Sequence, residues 1–273
     1  MDNNENKETN VKATIDAVTG LVSAIPIYQD TLQPAAKQIG NSLETVTKTV
    51  NIALAPIKIL VWGYEKIEDF ITKSVSERLK DVPTENITSP PTAIAGPAVE
   101  ALRFTGDDIN LRELYANLLA SSMDISTQDL VHPGYVEIIK NLSSDEALLL
   151  QIFKNRIIYP IININSELSE GRGSVLEYAC FSHFDKLVNL KRPDLIPTYL
   201  DNISRLGLTE IPYDLYLTAE NTYEPLETDI SLNIIKNKIE RQNNKMVFDR
   251  KIIRLTNFGK QFVENVIKEK QSR

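Results

Sequence analysis

Along residues 39–71 the apolar and small positions fall at Ile39, Leu43, Val46, Val50, Ala53, Ile57, Leu60, Tyr64, Ile67 and Ile71. Steps of four and three put one seam along a helix, and a seam of that length predicts packing against another helix. Pro56 stands inside the pattern and predicts a kink near residues 53–56, because an interior proline removes a backbone hydrogen bond and clashes with the preceding turn. Residues 81–95 carry Pro83, Pro90 and Pro91 and read as a linker. A second stripe follows at Leu111, Leu114, Tyr115, Leu118, Leu119 and Met123. It predicts a core-facing helix whose polar remainder, Arg112, Glu113, Asn117, Ser121 and Ser122, supplies no acid–base or metal cluster. Ahead of it, Pro97 suits a first helical position, and Gly106 suits the left-handed residue that ends a short helix.

In the second half the pattern becomes mixed. Ser143 with Glu146 three residues on is a capping box opening a helix with Leu148, Leu149, Ile152 and Phe153 on its apolar face. Residues 157–165, with isoleucines around Pro160, predict an edge strand or extended segment ending at the turn Glu170-Gly171-Arg172-Gly173. A second helix is expected over residues 175–190, and a third after Pro197 with Tyr199, Leu200, Ile203 and Leu206 facing the core. Gly207 allows its tight exit. The segments YLDNISRLGLTEIP and KIIRLTNFGKQF are similar to the third helix, wing strands and last helix of winged helix-turn-helix domains. Ile253 and Leu255 would alternate inward, and Thr256 would cap a helix with Phe258, Phe262, Val266 and Ile267. The departure is an insertion near residues 225–242, expected to be helical through Ile230, Ile234, Ile235 and Ile239.

A further resemblance lies in LRELYANLLASSMD and HPGYVEIIKNLSSDEA, preceded by AGPAVEALRFT. These residues resemble the diagnostic region of the bacterial Abi-alpha (abortive infection alpha) family, also described as domain of unknown function 4393. The resemblance implies a phage-defence context. It brings no catalytic residues to carry over, and the acidic turn Thr105-Gly106-Asp107-Asp108 is more glycine-rich than the family's usual link.

The expected architecture is therefore mainly α: a disordered tail at 1–10, amphipathic helices at 11–80, the linker at 81–95, a central helical core at 96–142, and a winged-helix-like α+β domain at 143–273. Charge adds one feature. The whole chain is −7 with a pI near 5.1, which argues against non-specific coating of nucleic acid. Residues 236–273 nevertheless hold eleven Lys and Arg against four Asp and Glu, a local +7 that leaves −14 for the rest. Lys191, Arg192 and Arg205 on the third helix and before it, with Arg250, Lys251 and Arg254 near the wing, are the candidate nucleic-acid contacts, expected to be weak. Ile57, Leu60, Trp62 and Tyr64 are the candidate membrane or partner-helix contacts.

The N-terminus has no basic region followed by an apolar run, so no signal peptide is expected, and residues 50–64 fall short of the roughly 18 apolar residues that suggest a spanning helix. One cysteine, Cys180, excludes an internal disulfide framework, and with only two histidines a structural zinc site is not expected. A reducing cytoplasm fits. Cys180 and His183, three apart on the expected second helix, are the one pair with nucleophile chemistry. Their aromatic neighbours Tyr178, Phe181 and Phe184 favour a buried structural thiol instead. His132 before Pro133 reads as a helix-start residue accepting a backbone N–H. No enzyme, cofactor, metal or small-molecule substrate is expected. The function classes left open are protein–protein interaction including self-association, membrane activity through the N-terminal helices, and DNA binding.

Overall fold

The computed structural model describes residues 63–269. The seam at Ile67 and Ile71 continues through Val75 and Leu79 on helix α1 (Tyr64–Leu79), where all four side chains are buried. The rest of the seam, with Ile57, Leu60, Trp62 and the expected kink at Pro56, and the tail at 1–10, lie outside the described residues. Residues 81–91 run alongside the end of the central helix: Thr88 N donates to Met123 O at 2.7 Å and Ile125 N to Asn86 O at 2.9 Å.

Helix α2 (Thr92–Thr105) starts earlier than the sequence suggested, directly after Pro91, so Pro97 lies inside the helix instead of at its first position. Gly106 is right-handed, with φ −61°, and does not provide a left-handed cap. Helix α3 (Ile109–Met123) begins where the Asp108 carboxylate accepts from Asn110 N at 2.9 Å and Leu111 N at 3.2 Å, meeting two of the unpaired donors of a helix start. Helix α4 (Tyr135–Lys140) follows His132, whose Nδ1 accepts from Gly134 N at 3.0 Å as expected. Helix α5 (Ser144–Leu150) opens with the Ser143–Glu146 capping box, both halves of which form.

Four strands, β1 (Ile158–Glu167), β2 (Ser174–Phe181), β3 (Thr209–Glu210) and β4 (Lys245–Leu255), make one antiparallel sheet in the order β2-β1-β4-β3. Two expectations fail here. The helix expected over 175–190 is strand β2 followed by a short turn, and β1 is an interior strand, not an edge. Pro160 is tolerated because β2 pairs only from Ile162 onward. Ile157 O accepts from Leu255 N at 3.0 Å, so by alternation Pro160 turns its missing N–H away from β4, to the side where β2 has ended.

After β2 the chain forms helix α6 (Ile196–Arg205), burying Tyr199, Leu200 and Ile203, and leaves through Gly207 at φ +75°. An excursion carrying helices α7 (Glu224–Glu227) and α8 (Asn233–Glu240) separates β3 from β4. Thr256 then caps helix α9 (Asn257–Phe262), its Oγ1 accepting from Gly259 N at 2.9 Å, and the helix widens into a π-helical turn (Val263–Ile267). Gly259 permits the close approach of α9 to the chain entering β3: a Cβ there would stand 1.8 Å from Leu208 O.

The two sheet faces meet separate apolar clusters. Ile161, Ile253 and Leu255 join the main core, which also takes in Ile67, Leu118, Phe153 and Phe262. Residues 96–142 and those after 143 thus share one core. Ile162 and Ile164 face the excursion, with Tyr223, Leu226, Leu232 and Ile239. The excursion is helical in short pieces, as expected, and its isoleucines face both ways: Ile239 is buried, whereas Ile230 and Ile234 are 82% and 81% exposed.

Candidate binding groove at the π-helical turn

From Leu114 to Met123 helix α3 is buried on every side, its polar residues Asn117, Ser121 and Ser122 included. Buried polar groups need partners, and two of these find theirs at the far end of the chain. A helix terminus leaves carbonyls without intrahelical donors. At the end of the π-helical turn those carbonyls face α3. Asn117 Nδ2 donates to Val266 O at 2.8 Å, and Ser121 Oγ to Asn265 O at 2.9 Å. The turn itself closes with Lys268 N donating to Val263 O at 2.9 Å. Asn117 Oδ1 accepts from Arg78 Nε. The same guanidinium donates to Ser74 O at 2.8 Å and pairs with Glu113, so α1, α3 and the turn are held by one polar chain.

Beside this junction a groove of about 710 Å³ opens. Its walls are the end of α1, residues 81–86, the Asp124–Leu130 loop and the turn, with Val82, Pro83 and Leu130 as apolar surface and Ser121, Asp124 and Asn265 as buried polar surface. The loop is fixed by Asp124 Oδ1, which accepts from Ser126 N at 2.8 Å and Ser126 Oγ at 2.7 Å, and by Thr127 Oγ1 donating to Ser121 O at 2.7 Å. An open, half-apolar groove of this size has room for a ligand or a chain segment. In the sequence Pro83 and Ser121 are visible only as a linker proline and a polar helix position; π-helical turns gather at functional sites, but no local pattern marks one in advance.

The candidate nucleic-acid residues are spread over several elements. Arg192 pairs with Asp194 at 2.6 Å, Arg250 with Glu227 at 2.6 Å and Arg254 with Glu210 at 2.7 Å. Arg205 donates to Asn202 Oδ1 at 2.7 Å. The Lys251 ammonium is buried, close to Asp249 at 3.3 Å and donating to Tyr213 O. Lys191 is exposed, and its backbone N–H, with that of Arg192, donates to Asp145 at 3.0 and 2.8 Å. Of the candidate membrane or partner-helix residues only Tyr64 is described, as the first residue of α1.

Cys180 and His183 do not share a helical face. Cys180 sits at φ +54° in a bulge of β2, where Ala179 and Cys180 together oppose Asn163, and its N–H donates to Asn163 Oδ1 at 2.9 Å. Burial, then the charge of Asp201, pushes its thiol up to about 11, which keeps it protonated at neutral pH. His183 Nε2 instead meets Asp229 Oδ2 at 2.8 Å, beside Lys186 at 2.9 Å. Hydrogen bonds from Ser231, Lys186 and His183 hold the Asp229 carboxyl well below the usual carboxylate range. Asp145 is also depressed: burial would raise it, but Lys191 N, Arg192 N and Tyr199 OH outweigh that. Among the described residues there is no group of three or more His, Cys, Asp or Glu placed to hold a metal, and no helix long and apolar enough to cross a membrane.

Fold and groove together define a mainly helical protein that carries one four-stranded antiparallel sheet and a half-apolar groove beside the π-helical turn. Residues 63–266 match the model of the family described as Abortive infection alpha, and the chain belongs to that family. A solved structure of an uncharacterized protein from the hydrocarbon-degrading marine bacterium Alcanivorax borkumensis SK2 is similar at 19% identity. The match covers 53% of this chain and 96% of that one, with a TM-score of 0.35. No curated protein matches the sequence.

Proposed function

We propose that this chain acts in abortive infection, the phage-defence role for which its family is named, as a non-enzymatic cytoplasmic protein that works by binding a protein partner. The observation that carries this reading is the groove: about 710 Å³, open, walled by the end of α1, two loop segments and the π-helical turn, with Ser121 and Asn265 hydrogen-bonded to each other in its lining. That is the form of a site for a partner's loop or extended segment. The strongly perturbed groups elsewhere have structural duties. Asp145 anchors the chain entering α6, Asp229 ties β2's end to the excursion, and Cys180 is a protonated buried thiol.

The order α6, β3, β4, α9 supports a winged-helix-like reading of the C-terminal half, with β2 in place of the second helix and the excursion as the insertion. We read this unit as a scaffold and not as a DNA reader, because Arg192, Arg250 and Arg254 are each engaged by a carboxylate.

The test is Leu130→Arg, a change at a 53% exposed groove residue that leaves the core untouched. Protection against phage is expected to be lost in a variant whose melting temperature is unchanged. Full protection by that variant would reject the groove as the working surface.

A further inference from the structure

The outward face of the excursion, from Ile230 to Lys245, stands apart from the groove and does not depend on it. Helix α8 already has a buried side: Leu232 and Ile239 are in the outer cluster, with Ile235 packed against it. Ile230 and Ile234, one helical turn apart, point the other way at 82% and 81% exposure. Single exposed isoleucines are ordinary; an adjacent pair needs a reason. The reason lies in the charges around them.

Lys236, Lys238, Arg241 and Lys245 follow within this one stretch and are all exposed, against a single acid, Glu240. Among the described residues no carboxylate stands within ion-pair distance of Arg241, and Lys245 lies directly opposite Glu167 across the β1–β4 ladder. Lys236 is 3.9 Å from Glu240 and Lys238 is 2.6 Å from Glu177. The acids just before the stretch are neutralised, Glu227 by Arg250 and Asp229 by Lys186. The face therefore pairs projecting apolar side chains with a local excess of cations, four against one acid within the stretch, on a chain whose net charge is −7.

We propose that this face docks on an anionic lipid surface, with Ile230 and Ile234 entering the headgroup region and the lysines and arginine meeting the phosphates. Charge complementarity favours lipid over a second copy of this face, since two such faces would repel. Because the rest of the chain is acidic, an anionic bilayer attracts this end and repels the others, which also fixes the orientation of docking. Two small side chains and a few cations give reversible, salt-sensitive binding, not permanent anchorage.

The experiment uses the full chain with sucrose-loaded vesicles, either pure phosphatidylcholine or equimolar phosphatidylglycerol and phosphatidylcholine. Wild-type protein is expected to sediment with the anionic vesicles at low salt and not with the neutral ones. The double variant Ile230→Glu, Ile234→Glu, changed only at exposed positions, should keep its circular dichroism and melting temperature while binding falls at least about tenfold. Arg241→Gln with Lys245→Gln, which sets no second acid opposite Glu167, should do the same. Absence of sedimentation, equal binding to neutral vesicles, or binding unaffected by either double variant overturns the proposal. So does a self-association, seen by sedimentation velocity, that the isoleucine variants abolish.

Discussion

Asn117 Nδ2 donates to the carbonyl of Val266 at 2.8 Å across 149 positions of sequence, and the same side chain accepts from Arg78. Asn117→Leu removes both bonds and leaves a buried carbonyl and a guanidinium N–H without partners. A loss of about 2–4 kcal/mol in unfolding free energy is expected from orphaning two such groups. Ser121→Ala orphans only the Asn265 carbonyl and should cost about 1–2 kcal/mol. Urea denaturation of the two variants measures both, and equal costs would contradict the assignment of two bonds to Asn117.

Gly259→Ala places a methyl carbon 1.8 Å from Leu208 O, a backbone atom that cannot swing aside. Either α9 or the strand entry must move, with a loss of more than about 3 kcal/mol expected for forced overpacking. Gly96→Ala, where a Cβ meets nothing within 4 Å, is the control and should be neutral or slightly stabilising in its helix. Thermal melts of the pair decide it.

The pH profile follows from groups with named partners. Asp145 and Asp229 have folded pKa values below the unfolded value of about 4. Their contribution is complete above that value and is lost as pH falls toward their folded pKa. Stability should drop below about pH 4, and Asp145→Asn or Asp229→Asn should be less stable at pH 7 yet show a flatter acid limb. At the other end, burial and the Asp145 carboxylate push Tyr199 up to about 12, and burial does the same for Tyr135. The unfolded chain ionises these phenols near pH 10, so stability falls as pH rises above about 10. Unfolding free energy measured from pH 2 to 11 checks both limbs.

Much of this architecture could be read locally. The Ser143–Glu146 box, the Thr256 cap, the Gly207 exit and the His132 acceptor each depend on neighbours within a few residues, and each forms. Strand β2 was not legible because it is doubly bulged: extra residues at Glu177 and at Ala179–Cys180 break the alternation by which a strand is recognised. The groove was hidden for a different reason. Ser121 looks like part of an ordinary polar helix face, and the helix end that meets it and completes the groove's lining is 144 positions away. The basic candidates were visible as residues, but their carboxylate partners, Glu210 and Glu227 for the wing arginines, are assembled only by the sheet and the excursion.

Those ion pairs make a prediction about nucleic acid. Wild-type protein should bind duplex DNA only weakly, with affinity collapsing as salt rises. Glu210→Gln with Glu227→Gln frees Arg254 and Arg250 and should raise low-salt affinity and steepen the salt dependence by up to about two ion equivalents. Fluorescence anisotropy over a salt series reads this out; a salt-resistant, sequence-selective wild-type complex would instead make the protein a DNA reader.

Cys180 offers a conformational probe. Buried, and with its thiol raised to about 11, it should react with a disulfide reagent at least about a hundredfold more slowly in the native protein than in urea, since only the thiolate attacks. Fast native modification would show that the β2 bulge opens readily.

The meeting of α3 with the π-helical turn also sets an order of events during synthesis. While the ribosome is still adding the sheet and the excursion, α3 is present with Asn117 and Ser121 facing no acceptor, and the apolar positions Phe262, Val263 and Val266 are missing from the main core. Contacts of such long sequence separation are slow to form, so the helical half is expected to complete its core only once the chain has reached Ile267. A chain truncated before the π-helical turn is expected to expose apolar surface, with that turn acting as the latch on the finished protein.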